Sequence, residues 1–340
     1  MIVVVSKVII PVLIVIFALA AGHNLIRLIH VCRTGAAIAP VILYSLSFAL
    51  FACLLYILAY GVTIGFRKLD IKRIEYASAD LPKAFDGYKI VHFSDIHLGT
   101  YGDDVSYVRR AVDSINAQDA DLIVFTGDIQ NVEPSEVRPF EQVLASLKAR
   151  DGVISIMGNH DYGDYFRGTP KEKIANEHEL MAIERRMGWT LLCNETMVIR
   201  RDSDSIVIAG MENDGEGHFF NAVRKAKNER FVSALSEAEP SPFAIMLQHD
   251  PSSWRRTILP LCSAQLTLSG HTHATQLILF GWSPSQWLYR EWGGMFYEGS
   301  RAINVSTGLG GFIPFRFGVP GEVVTITLRA NSSPSRNSGS

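Results

Sequence analysis

Two textures of apolar patterning divide the chain. Residues 8–26 and 38–64 contain no Asp, Glu, Lys or Arg. A helix needs about 20 predominantly apolar residues to cross the hydrocarbon core of a bilayer, so both stretches are expected to span, as a helical hairpin within residues 1–65. Pro11 falls near the start of the first stretch, where it costs little helix. From Tyr88 onward the runs are short and β-branched, and Gly, Asp or Asn bound them. "YKIVHF" (88–93), "DLIVF" (121–125), "VISIM" (153–157), "SIVIAG" (205–210), "FAIMLQ" (243–248), "AQLTLS" (264–269), "AINVS" (302–306) and "VVTITL" (323–328) all read as strands. Between the first two, Val105, Val108, Val112 and Ile115 recur at helical spacing, with Asp103 or Asp104 placed to cap the start. Residues 139–147 and 170–187 are expected to be helical as well. Strand–helix alternation implies an α/β layered core. The later strands have less helix between them, which predicts that part of the sheet is mixed or antiparallel.

The same pattern sets the organisation. Residues 66–87 are polar and of mixed charge, with Leu81-Pro82 and Asp86-Gly87 as turn signals, and are expected to form a connector. Residues 88–329 then form one α/β domain, and residues 330–340, "ANSSPSRNSGS", a disordered tail. No internal repeat is visible.

Composition adds exclusions. The formal net charge is -2 over 340 residues, which lacks the basic surplus of a nucleic-acid scaffold. Cys32, Cys53, Cys193 and Cys262 are scattered, with no close pair to suggest a zinc ribbon or a disulfide framework, and are expected to be reduced and mostly buried. Basic residues set orientation: Lys7 precedes the first span, Arg67, Lys68, Lys72 and Arg73 follow the second, and Arg27 and Arg33 lie between them. Both ends are therefore expected on the cytoplasmic side of a multi-pass protein of the bacterial inner membrane. A secretory signal, with Lys7 as its basic region and Ala18-Leu19-Ala20 as its cleavage site, is the competing reading of the first segment and leaves the domain on the same side.

Chemistry gathers where strands end. Five of the runs are followed by polar ligand types: Asp95 and His97, Gly127-Asp128, Gly158-Asn159-His160-Asp161, His249, and Gly270-His271-Thr272-His273. In α/β sheets ligands bind beyond the carboxyl ends of strands. In extended backbone, residues i and i+2 face the same way, so Asp95 with His97 and His271 with His273 are expected to act as two pincers. Gly158 and Gly270 allow close approach of the backbone. The donors are carboxylate, imidazole and amide oxygen with no thiolate, an inventory suited to Mn, Fe or Zn. Seven such ligands over-supply one four-coordinate ion, and two ions sharing a carboxylate fit better.

These blocks, in this order, resemble those of the calcineurin-like metallophosphoesterases over residues 88–328, and the apolar N-terminus is similar to their membrane-anchored YkuE-type branch. The resemblance implies a four-layer α/β/β/α sandwich with a two-metal site. It implies one ion on Asp95, His97, Asp128 and His273 and the other on Asp128, Asn159, His249 and His271, with Asp128 bridging. It also places His160 at the scissile ester rather than among the ligands. A hydroxide shared by the ions would attack phosphorus in line and His160 would assist the leaving group, while Asp161 either orients the His160 imidazole or serves as a turn residue.

The substrate is less defined. The anchor places the site near lipid, and "WSPSQWLYREWGGMFY" (282–297) holds Trp282, Trp287 and Trp292, which reads either as a membrane-contacting lid or as a core-packing insertion. The loop 211–220, with a solvated His218, is a second candidate rim. Related membrane enzymes cleave lipid-linked pyrophosphates such as UDP-diacylglucosamine, so the resemblance implies that class. A general phosphodiesterase, a phosphoprotein phosphatase and a non-catalytic membrane protein braced by metals are the alternatives.

Overall fold

The computed structural model describes residues 10–34, 38–215, 221–237 and 243–330. Lys7, the first residues of the expected first span, His218 and residues 331–340 of the expected tail lie outside them. Two helices open the described chain, α1 (Ile10–Thr34) and α2 (Ile38–Thr63), and they pack on each other. Among the described residues one stretch, Ser45–Arg67, is long and apolar enough to cross a membrane. Among the described residues the expected pair of spans is therefore not confirmed. The second half of α1 takes in His23, Asn24, Arg27, His30 and Arg33, which interrupt its apolar run.

Two six-stranded mixed sheets follow. The first has the order β1 (Leu69–Ser78), β12 (Gly321–Ala330), β2 (Lys89–Phe93), β3 (Leu122–Phe125), β4 (Val153–Ser155), β5 (Thr190–Leu191). The second has the order β10 (Gly294–Glu298), β11 (Arg301–Val305), β9 (Leu266–Ser269), β8 (Phe243–Leu247), β7 (Asp204–Gly210), β6 (Glu195–Arg201). Strands β2, β3, β4 and β5 run parallel, as do β7, β8, β9 and β11, while β12 against β2 and β6 against β7 are antiparallel.

Side-chain alternation builds the layers. In β3, Leu122 and Val124 face one core and Ile123 and Phe125 another; in β7, Ile206 and Ile208 join the first, and Val207 and Ala209 a third. The shared core lies between the sheets. The outer face of the first sheet packs on α3 (Ser106–Asn116) and α4 (Pro170–Arg186), through Val108, Val112, Leu180 and Ile183. The outer face of the second packs on α5 (Ala222–Ser236), through Val232. Each buried aliphatic side chain contributes about 1.5–3 kcal/mol relative to exposure, and trimming one such as Ile208 to Ala would cost about 2–5 kcal/mol.

Three expectations need correction. The presumed connector contains β1, which pairs with β12 along its whole length. Its charges, Asp70, Lys72, Arg73 and Glu75, belong to an edge strand, where they discourage edge-to-edge association. Residues 139–147 form a 3₁₀ turn (Arg138–Phe140) and one α-helical turn (Glu141–Leu144) rather than a full helix. Of the cysteines whose side chains are described, Cys262 is buried, Cys193 half-buried and Cys53 exposed on α2, all free thiols; the side chain of Cys32 lies outside the described set. At α3 the N-cap is Val105, which makes no side-chain cap; the expected capping Asp104 lies one residue earlier, and its carboxylate accepts the Ser106 N–H at 3.1 Å.

Candidate metal centre

The parallel strands of both sheets deliver their following loops to one place. The carboxylate or imidazole atoms of Asp95, His97, Asp128 and His273 lie within 4.8 Å of one another, and so do those of Asp128, His249 and His271. Asp128 belongs to both sets: its Oδ2 is 3.5 Å from His97 Nε2 and 3.3 Å from His249 Nε2. In the first set His97 Nε2 faces His273 Nε2 at 3.2 Å, and His273 Nε2 lies 3.4 Å from Asp95 Oδ1. In the second, Asn159 Oδ1 is 3.0 Å from His249 Nε2 and 2.8 Å from His271 Nδ1.

The local backbone is not the extended one expected. Asp95, His97, Asp128, His271 and His273 have φ of 54°, 52°, 60°, 74° and 52°. A left-handed backbone is uncommon outside glycine, though Asp and His tolerate it better than most, and such strain concentrates at functional sites. Each pincer therefore closes through left-handed turns, and its side chains still meet in the cluster. A Cβ on Gly270 would sit 2.2 Å from Asp95 Oδ2, and one on Gly158 2.2 Å from Asp128 Oδ1, so both positions require glycine for close approach.

Hydrogen bonds fix which ring nitrogen faces inward. Carbonyl oxygens only accept. The Thr126 carbonyl lies 2.7 Å from His249 Nδ1, which must carry the proton and leaves Nε2 toward Asp128. Asn159 donates its Nδ2 to Tyr165 Oη at 3.0 Å, which turns its Oδ1 into the cluster. Tyr289 Oη lies 3.0 Å from His271 Nε2 and occupies the outward nitrogen there. Beneath the site, the N–H groups of Leu309 and Gly310 donate to the carbonyls of Ser94 and Asp95, both at 2.8 Å. The buried Arg316 guanidinium holds this loop, donating from Nη2 to the carbonyls of Thr307 and Gly308 at 2.8 Å and from Nε to Gly310 O at 2.9 Å.

Burial pushes His97 and His273 down to about 3, so both present neutral lone pairs, the form that binds a metal. Burial also opposes charge on Asp128, but the imidazoles of His249 and His160 hold its carboxyl well below the ordinary range. At His249 burial is likewise outweighed, here by the Asp128 carboxylate, which raises it to about 10. The acidic side chains thus demand positive charge at the point where the imidazole and amide donors converge. Facing basic nitrogens, a shared carboxylate and a neutral amide oxygen fit divalent cations well and a hydrogen-bond network poorly.

His160 and Asp161 stand apart from the donor sets. The His160 N–H donates to Asp128 Oδ1 at 2.8 Å, and its ring Nδ1 donates to the Asn131 carbonyl at 2.7 Å. The expected Asp161–His160 ring contact is therefore replaced. Asp161 instead accepts from the backbone N–H groups of Asp128 (2.7 Å), Gly158 (2.8 Å) and Ile129 (3.1 Å), and so fixes the loops that carry Asp128 and Asn159. Burial and then the Asp128 charge push its carboxyl up, against the pull of those donors. The sequence offered no signal for Asn131 or Tyr165, since neither follows a strand or repeats a ligand spacing. Tyr289 falls inside the tryptophan-rich segment but was overshadowed by its indoles.

Comparison with known proteins agrees with this geometry. A family model described as calcineurin-like phosphoesterase matches residues 88–275. The metallophosphoesterase YkuE of Bacillus subtilis is 32% identical over 75% of this chain and 84% of its own length. The UDP-2,3-diacylglucosamine pyrophosphatase LpxG of Chlamydia trachomatis is 27% identical over 75% of this chain and 88% of its own. A transmembrane protein with metallophosphoesterase domain from Danio rerio is 28% identical over 64% of this chain, which spans about half (47%) of that relative's length. A cluster of Asp and His side chains at the ends of parallel strands, inside the matched region, is what a hydrolase of phosphoester bonds requires, and the chain belongs to the calcineurin-like phosphoesterase family.

Proposed function

We propose that the protein is a membrane-anchored phosphodiesterase or pyrophosphatase that uses two divalent ions and acts on a lipid-linked substrate of the UDP-diacylglucosamine type. The observation that carries the reading is the position of Asp128 Oδ2 between His97 and His249, at 3.5 and 3.3 Å, which suits a shared ligand. Asp95, His97, Asp128 and His273 would hold one ion, and Asp128, Asn159, His249 and His271 the other. Ions of the Mn, Fe or Zn kind match these donors. When bound, such a pair neutralises the ester's charge and supplies a nucleophilic water near neutral pH.

The chain's own groups do the rest. His160 keeps Nδ1 on the Asn131 carbonyl, so its Nε2 is the nitrogen that can deliver a proton to the leaving oxygen. Asn131, Tyr165 and Phe312 hold the ring in place. Asp161 keeps the Asp128 loop at the height the two donor sets share. A purely structural metal role is disfavoured because structural sites are closed, whereas His160 stands beside the donors as an additional proton carrier.

The LpxG relative supports the lipid-linked pyrophosphate class, and Ser45–Arg67 supports an anchor. The basic residues after α2 support a cytoplasmic domain. The test is hydrolysis of a chromogenic bis-phosphodiester by the full chain, with Mn added and then chelated, alongside metal analysis. Metal-dependent release with two ions per active chain is expected. One ion per fully active chain would overturn the two-ion reading.

A further inference from the structure

Among the exposed large apolar side chains outside the two N-terminal helices are Phe280, Trp287, Leu288, Phe312 and Ile313. They are placed deliberately. Leu279 and Trp282 exchange both backbone hydrogen bonds at 2.9 Å, closing a two-residue turn whose tip is Phe280 (φ 51°) and Gly281 (φ 80°). Such a turn favours Asn or Gly at both central positions, and a bulky residue there is strained. Phe280 gains nothing from packing in return, being 107% exposed. Trp287 and Leu288 are 79% and 72% exposed, and Trp287 leans on Trp282 with ring centroids 4.7 Å apart.

One end of this surface joins α2. The Ile278 N–H donates to the Phe317 carbonyl at 2.8 Å, and the Phe317 ring packs on Tyr56 and Tyr60 of α2, at centroid distances of 6.3 and 5.5 Å. Gln276 Nε2 ties the same turn to the carbonyls of Ile313 and Phe315, at 2.9 and 2.7 Å. Tyrosines near the end of an apolar helix sit where membrane-interface aromatics belong. The other end reaches the metal centre: the Phe312 ring lies 5.3 Å from His160 and 6.2 Å from His97.

We infer that Phe280, Trp287, Leu288, Phe312 and Ile313 form a membrane-interface rim, seated at the headgroup–acyl boundary of the bilayer that α2 enters. The centre then takes a phosphoester borne on a lipid straight from the bilayer surface. The inference rests on the anchored-hydrolase reading, and continuity with α2 selects a bilayer over a second copy or a peptide. Apolar area buried at that boundary supplies the affinity.

The full chain in nanodiscs of phosphatidylcholine, with and without bromine on the acyl chains near the headgroup, tests this without turnover. Bromine should quench tryptophan emission, and most of that quenching should vanish in Trp287→Phe. Equal quenching in Trp287→Phe, or none in either protein, overturns the rim. In the same discs, a Phe280→Asp, Leu288→Asp variant should hydrolyse a soluble chromogenic diester at the unaltered rate. It should lose about tenfold on a fluorogenic headgroup diester of diacylglycerol, as lost insertion implies. Equal rates on both esters, or a detergent-solubilised dimer that this variant dissociates, also count against it. Absence of metal-dependent turnover in the unaltered chain would instead sink the catalytic reading and leave the quenching result standing.

Discussion

The imidazole of His160 lies flat against the phenol ring of Tyr165, with centroids 3.9 Å apart and planes 4° from parallel. Tyr165 also takes the Asn159 amide proton. One side chain therefore orients both a proposed metal ligand and the proposed proton donor, although they have different tasks.

His160→Asn should retain both metal ions and lose about 10²–10⁴-fold in turnover, the usual contribution of a general acid. Metal analysis of the purified variant beside its rate with a chromogenic diester checks both halves. A variant that loses metal as well would make His160 a ligand.

Asp128→Ala should empty both donor sets rather than one, because its Oδ2 faces each. Loss of an outer partner of a metal ligand typically costs 10–100-fold, and loss of the shared ligand should exceed about 100-fold in turnover. Retention of one tightly held ion would show that the sets are independent.

Gly270→Ala would drive a methyl group to 2.0 Å from Ser94 Oγ and 2.2 Å from Asp95 Oδ2. The expected result is about 1–3 kcal/mol of destabilisation together with reduced occupancy of the Asp95 set. Titration of the metal-free variant with Mn, followed by calorimetry, should show one weakened step.

Arg316→Met removes a buried cation whose guanidinium serves the carbonyls of Thr307, Gly308 and Gly310. Leaving a buried carbonyl without its donor typically costs about 1–3 kcal/mol. Urea unfolding should show a lower midpoint with an unchanged slope, and the loop beneath Asp95 should exchange its amide protons faster.

Glu184, buried in α4 beside Ser155, has its carboxyl raised to about 7 by burial. The folded state therefore holds a proton that the unfolded state releases near the ordinary glutamate value. Stability falls as pH climbs from roughly 4.5 to 7 and then levels, losing about 3 kcal/mol in all. Glu184→Gln removes this dependence, so it should gain on the parent protein at pH 8 and hardly at all at pH 4. Denaturation curves at the two pH values decide it, and a parallel offset at both would refute the assignment.

What the sequence made legible follows burial. The eight strands it revealed are the interior ones, whose side chains face a core on both sides and so form apolar runs. The four it missed, β1, β5, β6 and β10, are the four sheet edges. β1 carries Asp70, Lys72, Arg73 and Glu75, and β6 carries Glu195, Arg200 and Arg201, so each reads as linker. The donor residues stood out because each closes an interior strand. Their backbone geometry did not, since a left-handed turn at Asp95 or His273 leaves no periodicity. The bonding of Asp161 to backbone rather than to His160 depends on loops meeting in space, which residue spacing does not encode.

The bond from the Arg316 N–H to the Gly61 carbonyl, 3.1 Å long, makes the end of α2 part of the hydrolase body rather than a tether to it. Trimming the chain at residue 64 to gain solubility would strip Phe317 of Tyr56 and Tyr60 and leave that N–H without its acceptor, on the very loop that props up Asp95. A shortened protein would trade one sticky helix for a bare aromatic face, and detergent or a retained final turn of α2 would be the gentler route to a tractable sample.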